Sequence, residues 1–259
     1  MAKMKSLFNL INNSDDLEKR FLEDFVYAKE QNKTQRLPSQ TYKPSSMKCI
    51  RNMYYQVTGC PNRVSDSNYI LDGITESGSD RHQRLQEDIS KMKSAGIDCE
   101  FVNVGDFIRE KGIKSLTIVK EANFEKGIYE TKLRHEELNL SFLCDGILKY
   151  LGKYYILEIK TETSSKFMKR KDIAEEHLTQ GATYSMVFGI EDILFMYENR
   201  DIPNKKVYIK TFSKQERDIV LEKIKTCDKY VEQKQVPPKT EDVSACKYCD
   251  YKGQCRNDG

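Results

Sequence analysis

The chain has 259 residues, of which 43 are Lys or Arg and 40 are Asp or Glu, so its formal net charge is +3. Charged residues make up 32% of the chain and hydrophobic residues 38%, which excludes a histone-like polycation and an acidic disordered chain. Balanced charge still allows nucleic-acid binding through a local basic groove. The length is sufficient for a well-buried core, and we expect a single domain over residues 1–259.

The chain carries no signal for membrane insertion or secretion. No run approaches the roughly 18 consecutive apolar residues that indicate a membrane-spanning helix. The first ten residues contain two lysines and lack the apolar core of a secretory signal. We therefore expect a cytoplasmic protein with no membrane partner. In that reducing compartment, the eight cysteines are expected to be thiols or metal ligands rather than disulfides.

Helical spacing dominates the first third of the chain and returns after a cluster of predicted strands. The predicted helices are 14 to about 28, 45 or 46 to 59, about 79 to 95, 172 to about 188, and 213 to about 235, with a polar loop over 33–44. The predicted strands are 128–134, 138–150, 154–161, 193–197 and 206–212, with a turn at 151–153. This order predicts an α/β domain with a central mixed sheet flanked by helices.

Two acidic residues and a lysine lie close together on the predicted strands. Asp145 is on one strand, and Glu158 and Lys160 are on the next, where side chains two residues apart face the same side of the sheet. Their neighbours are apolar, and buried charge requires compensation, so the arrangement favours a divalent cation bound by carboxylates and backbone carbonyls. The alternative is a solvated strand face with an ordinary Glu–Lys pair.

These residues resemble the core motif of the PD-(D/E)xK nuclease superfamily, with Cys144 at the position of its proline. The segment from Gly78 to His82 is similar to the G-x-x-x-H motif of the RecB-like branch. The segment from Gln180 to Tyr184 is similar to the Q-x-x-x-Y motif of that branch. The resemblance implies a single restriction-endonuclease-like domain. Taken alone, His82 fits a core histidine, and Gln180 and Tyr184 fit simple helix packing.

The resemblance also implies roles for individual residues. The implied ligands of Mg²⁺ or Mn²⁺ are His82, Asp145, Glu158 and the carbonyl of Ile159. The implied catalytic residues are Asp145, Glu158, Lys160, Gln180 and Tyr184. In this scheme the metal polarises a phosphodiester and lowers the pKa of a bound water. Lys160 orients that attacking water and stabilises developing charge.

The tail carries three closely spaced cysteines, Cys246, Cys249 and Cys255, in a C-x2-C-x5-C pattern. Three such thiols in a reducing compartment favour a metal, and tetrahedral closure needs a fourth ligand. Cys49 on the second predicted helix offers that ligand, with Cys60 as its rival. Four thiolates suit zinc as well as an iron–sulfur cluster, and free thiols are the third possibility.

Cys49 followed by this tail resembles the cluster-binding pattern of iron–sulfur RecB-like nucleases, which include CRISPR-associated exonucleases and the AddB nuclease domain. The resemblance implies a [4Fe–4S] cluster, with zinc as the alternative. Such a cluster would join segments 45–59 and 246–255, and so tie the N-terminal and C-terminal parts of the chain together.

A basic segment follows the Glu158–Lys160 strand. Its members Lys166, Phe167, Lys169, Arg170 and Lys171 are predicted to bind DNA, with the lysines and arginine on phosphates and the aromatic ring stacked on an unpaired base. The alternative is a solvated basic loop.

Together these features predict a divalent-metal-dependent deoxyribonuclease, an exonuclease on single-stranded DNA or DNA ends. One alternative is a non-catalytic DNA-binding factor for recombination or spacer acquisition, with a vestigial site. Another is a zinc-stabilised scaffold, which would leave the Asp145–Glu158–Lys160 group unexplained. Expected partners are DNA and proteins of recombination, replication or CRISPR adaptation.

Overall fold

The structure is a computed structural model that describes residues 2–32, 39–61, 69–246 and 249–258. The α-helices are α1 (Ala2–Gln31), α2 (Ile50–Val57), α3 (Tyr69–Ser90), α4 (Val104–Lys111), α5 (Ser164–Lys169), α6 (Glu175–Phe188), α7 (Lys214–Glu232) and α8 (Lys252–Asn257). The strands are β1 (Cys99–Val102), β2 (Leu116–Lys120), β3 (Thr131–His135), β4 (Leu140–Cys144), β5 (Gly146–Tyr150), β6 (Lys153–Glu162), β7 (Asp192–Asn199) and β8 (Lys205–Thr211). Short 3-10 helices occur at Pro44–Ser46, Phe124–Lys126 and Val243–Cys246.

The chain, for which the sequence predicts a single domain, divides into two compact units. The first comprises residues 1–37 and 64–76, and the second comprises residues 38–63 and 77–259. In the first unit, α1 begins at Ala2 rather than at the predicted cap Ser14, because apolar residues recur at helical spacing on both sides of that serine. The second unit contains both sheets and every predicted site residue. Within the described residues, no helix combines the length and apolar character needed to cross a membrane.

The second unit is built on a five-stranded sheet with the order β1-β5-β6-β7-β8. The β6–β7 pair is parallel and the other three pairs are antiparallel, so the sheet is mixed. A second, antiparallel sheet has the order β2-β3-β4. This mixed α/β architecture, with helices flanking the central sheet, confirms the predicted fold class and is consistent with a restriction-endonuclease-like fold.

β5 and β6 form the predicted hairpin. Leu151 and Gly152 have φ angles of 50° and 77°, as a two-residue type I′ turn requires. The resulting register pairs Gly146 with Leu157. Glu158 therefore lies beside the start of β5, where the predicted catalytic aspartate precedes the strand.

The continuous strand predicted over 138–150 is wrong, because the chain changes sheets at Asp145. β4 pairs with β3 in the three-stranded sheet, whereas β5 pairs with β1 and β6 in the central one. A Cβ atom on Gly146 would lie 2.4 Å from the Phe101 ring of β1, so only glycine allows this close approach. The break leaves Asp145 between two strands that belong to different sheets.

Two hydrophobic clusters cover the two faces of the central sheet. On one face, Ile156 packs with residues of α6 and α7. On the other, Leu157 packs with Leu85 and Ile89 of α3. Within α6, a Cβ atom on Gly181 would lie 2.8 Å from two phenylalanine rings, so this glycine lets α6 approach the sheet closely. The packing fixes α3 and α6, which carry the remaining predicted site residues.

Other predicted boundaries differ from the structure. The predicted helix over 45–59 is a 3-10 turn followed by α2, with Cys49 as the N-cap residue. The sequence analysis missed β1, β2, α4 and α5, which are at most eight residues long and carry weak periodicity. The capping box at Ser213 is confirmed. Residues 33–38 of the predicted polar loop lie outside the described residues.

A buried acid joins α3 to β7. The Glu198 carboxylate is fully buried and accepts hydrogen bonds from Arg84 Nη2 at 2.6 and 2.8 Å and from Arg81 Nη1 at 3.3 Å. Burial alone would raise the pKa of this carboxyl, but the two arginines and Lys205 lower it below its ordinary value. The ionised form of Glu198 therefore contributes to the stability of the fold.

We expect Glu198→Gln to lower the free energy of unfolding by about 3 kcal/mol, because both arginines lose their buried counter-ion. A depressed pKa contributes stability above the unfolded-state pKa that is lost as the pH falls through the folded-state value. The variant should accordingly show a flatter acid limb in urea unfolding measured at several pH values. Glu191→Gln, which removes an exposed pair with Arg217, is the control and should change stability by less than about 1 kcal/mol. Equal losses in the two variants would contradict this assignment.

Candidate active site

Asp145 lies at the centre of the candidate site and is nearly fully buried. Its Oδ2 atom accepts a hydrogen bond from the Ile159 N–H at 2.7 Å. Its Oδ1 atom lies 3.3 Å from His82 Nδ1 on α3. Its backbone carbonyl accepts from Gln86 Nε2 at 2.7 Å, one turn farther along the same helix. Contacts with both β6 and α3 therefore fix the position of Asp145.

A third potential metal ligand, Glu130, precedes β3. Its Oε1 atom lies 3.9 Å from His82 Nδ1. One ligand atom from each of His82, Glu130 and Asp145 lies within 4.8 Å of the others. The sequence analysis missed Glu130, because nothing local distinguishes it from the other acidic residues of the chain. Only the pairing of β3 with β4 brings it to Asp145.

The electrostatics of this triad favour a cation. Burial opposes ionisation of Asp145, but His82, the Ile159 N–H and Lys160 lower its pKa. Burial and the nearby Asp145 raise the pKa of Glu130. Burial opposes the charge on His82, but the surrounding carboxylates raise its pKa. The carboxylates of Asp145 and Glu130 thus stabilise positive charge on His82, as they would stabilise a positive ion at this point.

Glu158 adjoins the triad but has other partners. Its buried Oε1 atom lies 2.6 Å from Lys160 Nζ and accepts from Gln180 Nε2 at 2.8 Å. Burial, reinforced by Asp145, raises the pKa of Glu158 to about 7 against the opposing effect of Lys160. The predicted ligand role of Glu158 stays a prediction, as does that of the Ile159 carbonyl, since the observed contact of Ile159 is through its N–H.

Gln180 and Tyr184 of α6 complete a hydrogen-bonded chain. Lys160 Nζ donates to Gln180 Oε1 at 3.0 Å, and Gln180 Nε2 also donates to the Tyr184 hydroxyl at 2.9 Å. That hydroxyl donates to the carbonyl of Leu143 at 3.1 Å. The i, i+4 spacing places both side chains on one helical face, and the structure brings that face against Glu158 and Lys160.

The basic segment forms α5 and the loop that follows it. Lys166, Lys169 and Lys171 are exposed. The expected stacking of Phe167 on a base is wrong, because its ring is 3% exposed and lies under the ammonium of another lysine. This burial follows from packing of α5 against the sheet, which no local pattern predicts.

Arg170 also has partners within the protein. Its Nε atom donates to Glu162 at 2.7 Å, and its guanidinium carbon lies 4.3 Å from the centre of the Tyr197 ring. The predicted phosphate contacts of Arg170 and of the three exposed lysines stay predictions, with Arg170 already paired to Glu162.

The four predicted cluster cysteines lie in one region. Cys49 caps α2, Cys246 ends a 3-10 helix, Cys249 precedes a turn and Cys255 lies on α8, and all four are half-buried thiols. Burial raises the pKa of Cys246, and the charges of the other three cysteines raise it further. The rival Cys60 lies with its sulfur atom 3.9 Å from the Pro61 carbonyl.

No protein-family model and no curated protein matches the chain. The chain is similar to several solved structures. The crystal structure of SSO0001 covers 94% of this chain and 98% of its own, with 18% sequence identity and a TM-score of 0.44. LHK-Exo, an alkaline exonuclease from Laribacter hongkongensis, covers 76% of this chain and 90% of its own, with 12% identity and a TM-score of 0.45. Its complex with dAMP gives the same identity and coverage and a TM-score of 0.46.

We expect one Mn²⁺ ion to bind the triad. Asp145→Asn and Glu130→Gln should each weaken Mn²⁺ binding by at least roughly tenfold, because each removes a charged oxygen ligand. Isothermal titration calorimetry measures the effect. Glu136→Gln, which changes an exposed acid paired with Arg134, is the matched control and should bind like the wild type. Unchanged affinity in Glu130→Gln would remove that residue from the site.

Proposed function

We propose that this protein is a divalent-metal-dependent nuclease that hydrolyses DNA, as an exonuclease on single strands or ends. One observation carries the proposal. The His82–Glu130–Asp145 triad and the Glu158–Lys160–Gln180 chain adjoin each other and are linked through Asp145 and the N–H of Ile159. An anionic ligand group thus lies directly beside a half-buried ammonium.

The donor set fits a hard divalent ion. Two carboxylates supply the oxygen ligands that Mg²⁺ and Mn²⁺ prefer, and His82 adds one imidazole nitrogen. When bound, such an ion supplies charge that polarises a phosphodiester and lowers the pKa of a coordinated water. The residues that would hold it are His82, Glu130 and Asp145, with Glu158 as the adjoining acid.

Lys160 supplies the fixed positive charge of the site. Burial would lower its pKa, but Glu158 and Asp145 raise it, so the side chain remains an ammonium at neutral pH. Its two acceptors, Glu158 and Gln180, orient it, and Tyr184 in turn orients Gln180. An ammonium held in this way can position an attacking water and stabilise negative charge that develops on a phosphate.

The surroundings of Lys160 favour a polyanionic strand. His177 lies on α6, one turn before Gln180. Burial and the charges of Lys160, Arg170, Lys48 and Lys166 lower the pKa of His177 to about 3. Of these four cations, Lys160 and Arg170 are paired with Glu158 and Glu162, whereas Lys48 and Lys166 are exposed and would attract the phosphates of a nucleic acid. The exposed lysines of the basic segment extend the same surface.

We expect the wild type to degrade linear single-stranded DNA with Mg²⁺ or Mn²⁺ and to be inactive in EDTA. Asp145→Asn and Lys160→Met should each reduce the rate at least about 100-fold, because each removes charge that acts on the reacting phosphate. Gel assays on end-labelled strands measure this, with Glu136→Gln as the active control.

Circular single-stranded DNA separates the two parts of the proposal. An exonuclease leaves the circle intact. Cutting of circles at the linear rate would overturn exonuclease action but not metal-dependent hydrolysis. Equal rates for the wild type and Asp145→Asn would overturn the active-site assignment.

We further propose that Cys49, Cys246, Cys249 and Cys255 hold a [4Fe–4S] cluster, with zinc as the alternative. Their clustering supports a metal centre of thiolate ligands, whose role would be to tie α2 to the C-terminal segment.

Protein purified without oxygen should be brown and contain iron and acid-labile sulfide, and Cys49→Ser should lose both. Colourless protein with one equivalent of zinc would replace the iron–sulfur assignment. Unchanged metal content in Cys49→Ser would indicate Cys60 as the ligand.

A further inference from the structure

Two donors on α2 reach the sulfur atoms of the proposed cluster cysteines. Asn52 Nδ2 donates to Cys249 Sγ at 3.3 Å. Arg51 Nη1 donates to Cys255 Sγ at 3.5 Å. The donors lie two and three residues after Cys49, so the four-residue segment 49–52 provides one sulfur and two N–H contacts to other sulfurs.

Arg51 is held firmly for this contact. Its side chain is buried, and its Nε atom donates to the Pro237 carbonyl at 2.6 Å. Its Nη1 atom donates to the backbone carbonyl of Cys255 at 3.2 Å as well as to the sulfur. A guanidinium remains charged at all relevant pH values. A buried permanent cation is therefore directed at one of the four sulfurs.

A second cation lies beside Cys49. The Lys223 ammonium of α7 donates to the carbonyl of Lys48 at 3.1 Å, and its charge interacts with Cys49. Hydrogen bonds and positive charge around a thiolate withdraw electron density from sulfur. They favour the more negative, reduced state of an iron–sulfur cluster.

We infer that Arg51 and Asn52 are positioning residues that hold Cys255 and Cys249 as thiolate ligands, and thereby slow metal loss and raise the reduction potential of the bound cluster. This inference rests on the proposed cysteine metal centre. It assigns α2 a role beyond supplying Cys49, because its first turn also adjusts the electronic properties of the ligands provided by the tail.

The test compares anaerobically purified wild type with Asn52→Leu and Arg51→Met. Potentiometric titration, followed by visible absorbance, should show a lower midpoint potential in each variant. Chelator challenge should release metal several-fold faster from each. Gln56→Leu is the matched control, since it changes a buried amide one turn farther along α2 whose carbonyl oxygen has no hydrogen-bond partner among the described residues. Both readouts of this control should match the wild type.

The two measurements distinguish this inference from the proposed cysteine metal centre on which it rests. Wild-type protein without metal would overturn the metal centre and the inference together. Variants that are loaded and folded, with wild-type potential and release rate, would overturn the inference alone. If the metal is zinc, the release rate decides. If Arg51→Met fails to fold, Asn52→Leu decides by itself, and Arg51→Lys, which keeps the charge, should recover part of the shift.

Discussion

The buried carboxylate of Asp145 is the constraint on which the rest of the candidate site depends. One oxygen is bound to the β6 backbone through the N–H of Ile159, and the other faces His82. The residue can hold this position because the chain changes sheets there and because Gly146 admits the Phe101 ring. A buried carboxylate without such partners would be costly, so its contacts join α3, β5 and β6 into one arrangement.

Charge is divided sharply across this arrangement. The triad of His82, Glu130 and Asp145 concentrates negative charge on one side, whereas Lys160 lies on the other, with Glu158 between them. Burial and the nearby Asp145 raise the pKa of Glu158 and Lys160 opposes that rise, while Glu158 in turn raises the pKa of Lys160. Each of the two groups therefore favours the charged form of the other.

Local pattern predicted those parts of the site that depend on strand and helix periodicity. The alternation that places Glu158 beside Lys160, the turn after β5 and the i, i+4 spacing of Gln180 and Tyr184 all follow from short segments. Glu130 and the burial of Phe167 could not be predicted, because both depend on how distant elements pack. The break at Asp145 could not be predicted either, because β4 and β5 are both apolar and follow each other closely in the sequence. Only their pairing with different strands separates them.

Anomalous diffraction at the manganese edge, from crystals of the wild-type protein soaked in Mn²⁺, tests the central claim most directly. The account predicts one strong peak within bonding distance of His82 Nδ1 and of carboxylate oxygens from Glu130 and Asp145, beside the Lys160 ammonium. A peak bound by other residues, or no peak at saturating Mn²⁺, would contradict it.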